Sequence, residues 1–156
     1  MNKSISIGLA VCLMVLGGVA LFVASKINGF PDVSASPEQG FGQLCRFELP
    51  DTISDVECHG DFWMDHSVAI RFVATKSDIE RILESDFTKT KWGAVRAKFS
   101  APPYFDDFEG RWTPAKIEDK ACYSRDSSSA DYHNESFLVI DRGSGLVYGI
   151  DEGTVR

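Results

Sequence analysis

The 156-residue chain carries 16 basic and 23 acidic side chains, a formal charge of −7, and four cysteines. Its one uncharged run of note is Ile5 to Ala24, and beyond that run fifteen basic side chains face 23 acidic ones, a formal charge of −8 on a length that suits one domain. Such a surface repels phosphate backbones and anionic lipid heads, which argues against nucleic acid and against peripheral membrane binding, and favours a basic protein partner.

Residues 5–24 are long enough, at about 1.5 Å per helical residue, to cross a hydrocarbon layer of roughly 30 Å. Lys3 and the amino terminus precede the run, Lys26 follows it, and Asp32 and Glu38 come next, so the positive-inside rule favours residues 1–4 in the cytoplasm and the domain outside. Two other readings stay open. Val23-Ala24-Ser25 has the form of a signal-peptidase site, and Leu9-Ala10-Val11-Cys12 has the outline of a lipobox, with a bulky Val11 where a small residue is expected. All three readings place the domain outside the cytoplasm, in the periplasm or at the cell surface; in the uncleaved-anchor reading it is attached to the membrane through the N-terminal segment alone.

Residues 25–42 shift to Gly, Pro, Ser and Asn with scattered charge, a composition that reads as a flexible tether. The domain is expected over 43–156. Leu44 to Leu49 alternates, with Cys45, Phe47 and Leu49 on one side, and after a turn at 50–53 the alternation resumes from Ser54 with Val56, Cys58 and Phe62. A hairpin joining these two strands sets Cys45 opposite Cys58, within reach of a disulfide. Three small buried thiols are the alternative.

Trp63 to His66 reads as a second turn and Ser67 to Thr75 as a strand, with Val68, Ile70 and Phe72 on one face and Arg71 on the other. Ser77-Asp78-Ile79-Glu80 has the form of a capping box, and Ile79, Ile82 and Leu83 make one apolar stripe of a short helix. Val95, Ala97 and Phe99 suggest another strand. Between Phe99 and Trp112 no period holds, yet Tyr104, Phe105, Phe108 and Trp112 crowd there among Pro102, Pro103, Asp106, Asp107 and Glu109. This segment is either a lid folded over the sheet or an exposed patch of the residue types that dominate interface energetics. A polar loop spans 125–134, and residues 137–150 close the chain as a hairpin around Arg142-Gly143-Ser144-Gly145, with Phe137 opposite Ile150 and Val139 opposite Tyr148.

Chemistry is sparse in this pattern. His59, Asp61, Asp65 and His66 form a candidate metal constellation, against which ordinary solvated turn residues are the competing account, so no metal or other cofactor is expected. Residues 126–131 lack the glycine and final ligand of a cation loop, Asn134-Glu135-Ser136 fits a glycosylation acceptor, and the acids at 106–109 have nothing to set them across a cleft.

The expected fold is α+β: an antiparallel sheet of five or six strands with one short helix packed on it, behind a single N-terminal membrane-spanning helix. The expected function is a non-catalytic extracytoplasmic module that binds a protein partner in the cell envelope through Tyr104, Phe105, Phe108 and Trp112. The alternative is a small envelope enzyme or metal-binding protein using His59, Asp61, Asp65 and His66.

Overall fold

The chain divides into two compact units, Met1–Val33 and Ser34–Arg156. The computed structural model describes residues 35–62, 65–100, 102 and 105–155. The expected membrane segment 5–24 therefore lies outside the described residues, among which no helix is long and apolar enough to cross a membrane.

The second unit is α+β. Six strands, β1 (Ser54–Phe62), β2 (His66–Val73), β3 (Thr88–Thr90), β4 (Lys120–Asp126), β5 (Tyr132–Asp141) and β6 (Leu146–Val155), form one sheet in the order β1-β2-β6-β5-β4-β3. Every neighbouring pair is antiparallel. The described α-helices are α1 (Pro37–Cys45), α2 (Lys76–Leu83) and α3 (Trp92–Ser100), with short 3-10 turns at Phe105–Phe108 and Pro114–Lys116.

The closing hairpin has the register expected of it, Phe137 opposite Ile150 and Val139 opposite Tyr148. Its four-residue turn is tied by Asp141, whose carboxylate accepts from the Gly143 amide at 2.9 Å and the Ser144 hydroxyl at 2.8 Å. β5 and β6 are central, so both of their faces are covered and apolar residues occur on both.

One face of the sheet is covered by α1 and α2. Its core holds Phe41, Leu44, Ile70, Phe72, Ile82, Leu138, Ile140 and Val147. The opposite face meets α3 and the segment beyond it, with Val95, Phe99, Phe108, Trp112, Val139, Tyr148 and Ile150 packed together.

Three expectations are corrected here. Residues 37–42 do not belong to a tether, and 44–49 is not a strand. Ser36 caps α1 by accepting from the Gln39 amide, Gln39 returns the bond to the Ser36 amide, Pro37 starts the helix with its fixed φ, and Arg46 ends it in the left-handed region at φ 63°. The letters Ser-Pro-Glu-Gln spell a helix start, but Gly40 and Gly42 dilute the helical pattern behind them. Gly40 is there because the helix lies close on the sheet: a Cβ at that position would sit 2.3 Å from Cys58 Sγ. The third correction is 95–99, a helix in which Val95 and Phe99 are buried while Ala97 is exposed. Four-residue spacing, and not alternation, is the period that matters there.

The helix expected after β2 is present, and Ile82 is buried with Ile79 and Leu83 beside it. Its cap is Thr75 and not Ser77: the Thr75 hydroxyl accepts from the Asp78 amide, and Asp78 accepts from the Thr75 amide, each at 3.2 Å. Thr52 also donates to Asp78 at 3.0 Å, which joins the turn before β1 to the start of α2. Burial raises the Asp78 pKa, but these bonds and Arg81 outweigh it, and the carboxyl sits below its ordinary value.

Candidate functional site

The aromatic segment is turned inward where it is described. Phe108 is fully buried and Trp112 is 3% exposed. The Trp112 ring stacks on Phe99 at 5.9 Å between centroids and meets the edge of Tyr148 at 5.1 Å, while its indole N–H donates to the Phe99 carbonyl at 3.1 Å. This is the lid alternative for these two residues, since small domains gain most from aromatics they can bury. Tyr104 lies outside the described residues, and of Phe105 only the backbone is described.

The acids of the same segment face the other way. Asp106, Asp107 and Glu109 are exposed, and none of them has a cation at ion-pair distance among the described residues. The segment is clipped to the edge strand β1 by Arg111, which donates to Glu57 Oε1 at 2.7 Å. Glu57 also meets Arg71 at 3.5 Å and His59 Nε2 at 3.4 Å, and Arg71 reaches Asp55 at 2.8 Å. Two arginines thus converge on β1 carboxylates at the edge of the sheet, and the unpaired acids of the 3-10 turn stand next to them.

The candidate metal constellation His59, Asp61, Asp65 and His66 is not assembled. In β1 and β2 the even-numbered pairs Cys58–Ile70 and Gly60–Val68 share the α1 face, so His59 and Asp61 lie on the α3 face while His66 lies opposite. His59 sets its ring edge-on to Phe108 at 4.6 Å. Asp65 accepts from the Val155 amide at 3.3 Å. Among the described residues no group of three metal-type ligands comes together.

His66 belongs instead to a buried polar chain that the residue pattern did not announce. Its Nε2 lies 2.5 Å from Asp151 Oδ2, and its Nδ1 is bonded to the Tyr132 hydroxyl. Asp151 accepts from Ser136 at 2.5 Å, and Ser136 accepts in turn from Arg125 at 2.8 Å. Arg125 also donates to the Ser85 carbonyl at 3.2 Å and lies over the Phe87 ring. Gly153 makes room for this arrangement, since a Cβ there would lie 2.0 Å from the Tyr132 hydroxyl and 2.3 Å from the His66 ring. The carboxylate stands between imidazole and hydroxyl, so His66 is not placed to activate Ser136 as a nucleophile. Burial, then Asp151 and Asp65, raise the Tyr132 pKa, so its phenol stays protonated. Geometry of this kind orients a core; each buried polar group needs a partner, and this chain supplies them. The sequence clue was Ser136 and Asp151, polar residues at inward positions of otherwise apolar strands.

The cysteine expectation also changes. Cys45, Cys58 and Cys122 are all unbridged. The hairpin that would have set Cys45 opposite Cys58 does not exist: Cys45 ends α1, and Cys58 pairs across with Ile70. Burial raises both thiols, Cys58 to about 12, so they stay protonated and behave as small apolar side chains.

A concave surface lies on the α1/α2 face where α2 leaves β4 uncovered. This groove of about 490 Å³ is floored by Ala121, Tyr123 and Ile140, walled by Ile79, and flanked by Lys76 and by Arg142 of the β5–β6 turn. A second hollow of about 660 Å³ runs along α1 between Glu38 and Leu49. No protein-family model, curated protein or solved structure matches this chain.

Proposed function

We propose that the protein is a non-catalytic, extracytoplasmic binding module for a basic protein partner in the cell envelope, held at the membrane by residues 5–24. The observation that carries this reading is the two-sided build of the 105–112 segment: Phe108 and Trp112 are sunk in the core, while Asp106, Asp107 and Glu109 are exposed beside the β1 edge. The aromatics thereby become the fixed base of the contact surface, and the acids become its charge. Together with a formal charge of −8 after the apolar run, that surface attracts a cationic partner at long range, which raises association rates and makes binding salt-dependent.

Affinity capture from detergent-solubilised host membranes, with the full chain as bait, tests the reading. A protein retained by the wild type, released by salt, and lost when Asp106, Asp107 and Glu109 are all changed to Lys supports it. Retention unchanged by the triple substitution sinks the assignment of this surface.

A further inference from the structure

The groove between α2 and β4 departs from the rest of the molecule in its charge. The chain carries 23 acidic and 16 basic side chains, yet the lining of this groove holds two cations, Lys76 and Arg142, and no carboxylate. Of the neighbouring acids, one is engaged elsewhere and two pair loosely with the groove's own cations. Asp141 is turned into its own hairpin turn, where the Ser144 hydroxyl and the Gly143 amide hold its carboxyl below the ordinary value. Glu80 meets Lys76 at 3.9 Å and Asp119 meets Arg142 at 3.4 Å, both in exposed pairs of the kind that contribute little and exchange readily. Tyr123, on the floor, brings a phenol to the lining.

The groove is also pre-formed. Its end wall is the β5–β6 turn, pinned to the strand end before α2 by the Ala74 amide donating to the Gly145 carbonyl at 3.0 Å. Gly145 has φ +74°, and a Cβ there would lie 2.4 Å from the Ala74 carbonyl oxygen, so only glycine lets the turn close this tightly. The opposite wall is α2, whose start is fixed by the Thr75–Asp78 capping box. A hollow of this size with an apolar floor and charged donors at its rim has the general make-up of a small-molecule site.

We infer that this groove binds a small amphipathic carboxylate, its apolar body on Ile79, Ala121 and Ile140 and its anionic head between Lys76, Arg142 and the Tyr123 hydroxyl. Charge complementarity selects the ligand: a cation of the same shape is repelled by Lys76 and Arg142, a neutral molecule forgoes the charge-assisted part of the bonds, and a free carboxylate without an apolar body forgoes the floor. The site is separate from the acidic surface proposed for the protein partner, and each can fail without the other.

The test is photo-labelling of the full chain in phosphatidylcholine nanodiscs with a diazirine-tailed dodecanoate, the adducts being located by peptide mass mapping. A probe with the same tail and a trimethylammonium head serves as the control. The expected result is labelling within 74–80, 121–123 or 140–145 that unlabelled laurate competes away, at least tenfold stronger than with the cationic probe. Lys76→Glu with Arg142→Glu, both exposed positions, is expected to lower that labelling at least tenfold, while Lys76→Arg with Arg142→Lys keeps it. Absence of adducts in these segments, equal labelling by the cationic probe, or labelling indifferent to charge reversal overturns the assignment.

Discussion

The sheet is covered on one face by two helices with defined starts and on the other by a helix and an irregular aromatic segment. On the first face α1 and α2 each begin in a capping box, and the strands beneath them carry glycine where a helix side chain must enter: a Cβ on Gly149 would sit 2.2 Å from Leu44 Cδ2. On the second face the cover beyond α3 has no long helix of its own, and it stays in place because Phe108 and Trp112 are sunk among Phe99, Tyr148 and Ile150, with the Arg111–Glu57 pair clipping it to β1. The first face is positioned by local signals refined by close packing. The second is positioned almost wholly by burial. The same burial that removes the aromatics from solvent leaves the acids of the segment outside, which is why the proposed partner surface lies on this side.

Truncation tests that contrast most strongly. Trp112→Ala removes the centre of the aromatic cluster and is expected to cost about 3–5 kcal/mol, read as a lowered midpoint in chemical unfolding. A loss below about 1 kcal/mol, the scale of an ordinary substitution, would mean that the segment is not part of the core. On the other face Asp151→Ala leaves His66 and Arg125 without their shared anion, and a loss of about 3–5 kcal/mol is expected from removing one partner of a buried pair. If the variant unfolds no earlier than wild type, the chain Tyr132–His66–Asp151–Ser136–Arg125 contributes little to folding.

Smaller effects sharpen the comparison. Gly149→Ala forces Leu44 of α1 to shift, and about 1–3 kcal/mol of overpacking follows; measured in a Leu44→Ala background, which has its own cavity cost, the added loss from Gly149→Ala should shrink. Thr75→Ala removes the cap of α2 at a cost of about 1 kcal/mol. That substitution also carries a pH signature. The Asp78 carboxyl lies below its ordinary value in the folded protein, so its contribution is present at neutral pH and is lost as acid is added through its folded value. Stability measured from neutral pH down to the acid range should therefore fall less in Thr75→Ala than in wild type. Equal falls would show that Asp78 is not held by Thr75. The lysine substitutions at Asp106, Asp107 and Glu109 are expected to change stability by at most about 0.5 kcal/mol each, so a lost partner there reports on binding.

Where a segment's partner is its sequence neighbour, the residues alone were enough. The β5–β6 hairpin shows this to the register, Phe137 on Ile150 and Val139 on Tyr148, because a four-residue turn with two glycines leaves the strands little freedom to slip. The strand β2 and the stripe Ile79, Ile82, Leu83 of α2 were legible for the same reason. Residues 44–49 and 95–99 misled because Cys45, Phe47, Leu49 and Val95, Ala97, Phe99 satisfy a period of two by coincidence, and only burial showed which of them face inward. Of the site residues, Phe108 and Trp112 were expected to touch the partner but are buried, and the sequence could not tell lid from patch because an aperiodic segment carries no face.

The sequence by itself determined the class of the domain, its acidity, its closing hairpin and the short amphipathic helix α2, all of which rest on composition and on contacts between neighbours in the chain. Only the tertiary structure decided that Pro37–Cys45 covers the sheet and leaves Cys45 and Cys58 unbridged, that His66 joins Asp151 and Tyr132, and that Lys76 and Arg142 flank one groove. These are meetings of residues far apart in the chain, His66 and Asp151 by 85 positions, and nothing local encodes them: they follow from which strand order buries both faces of the sheet at once.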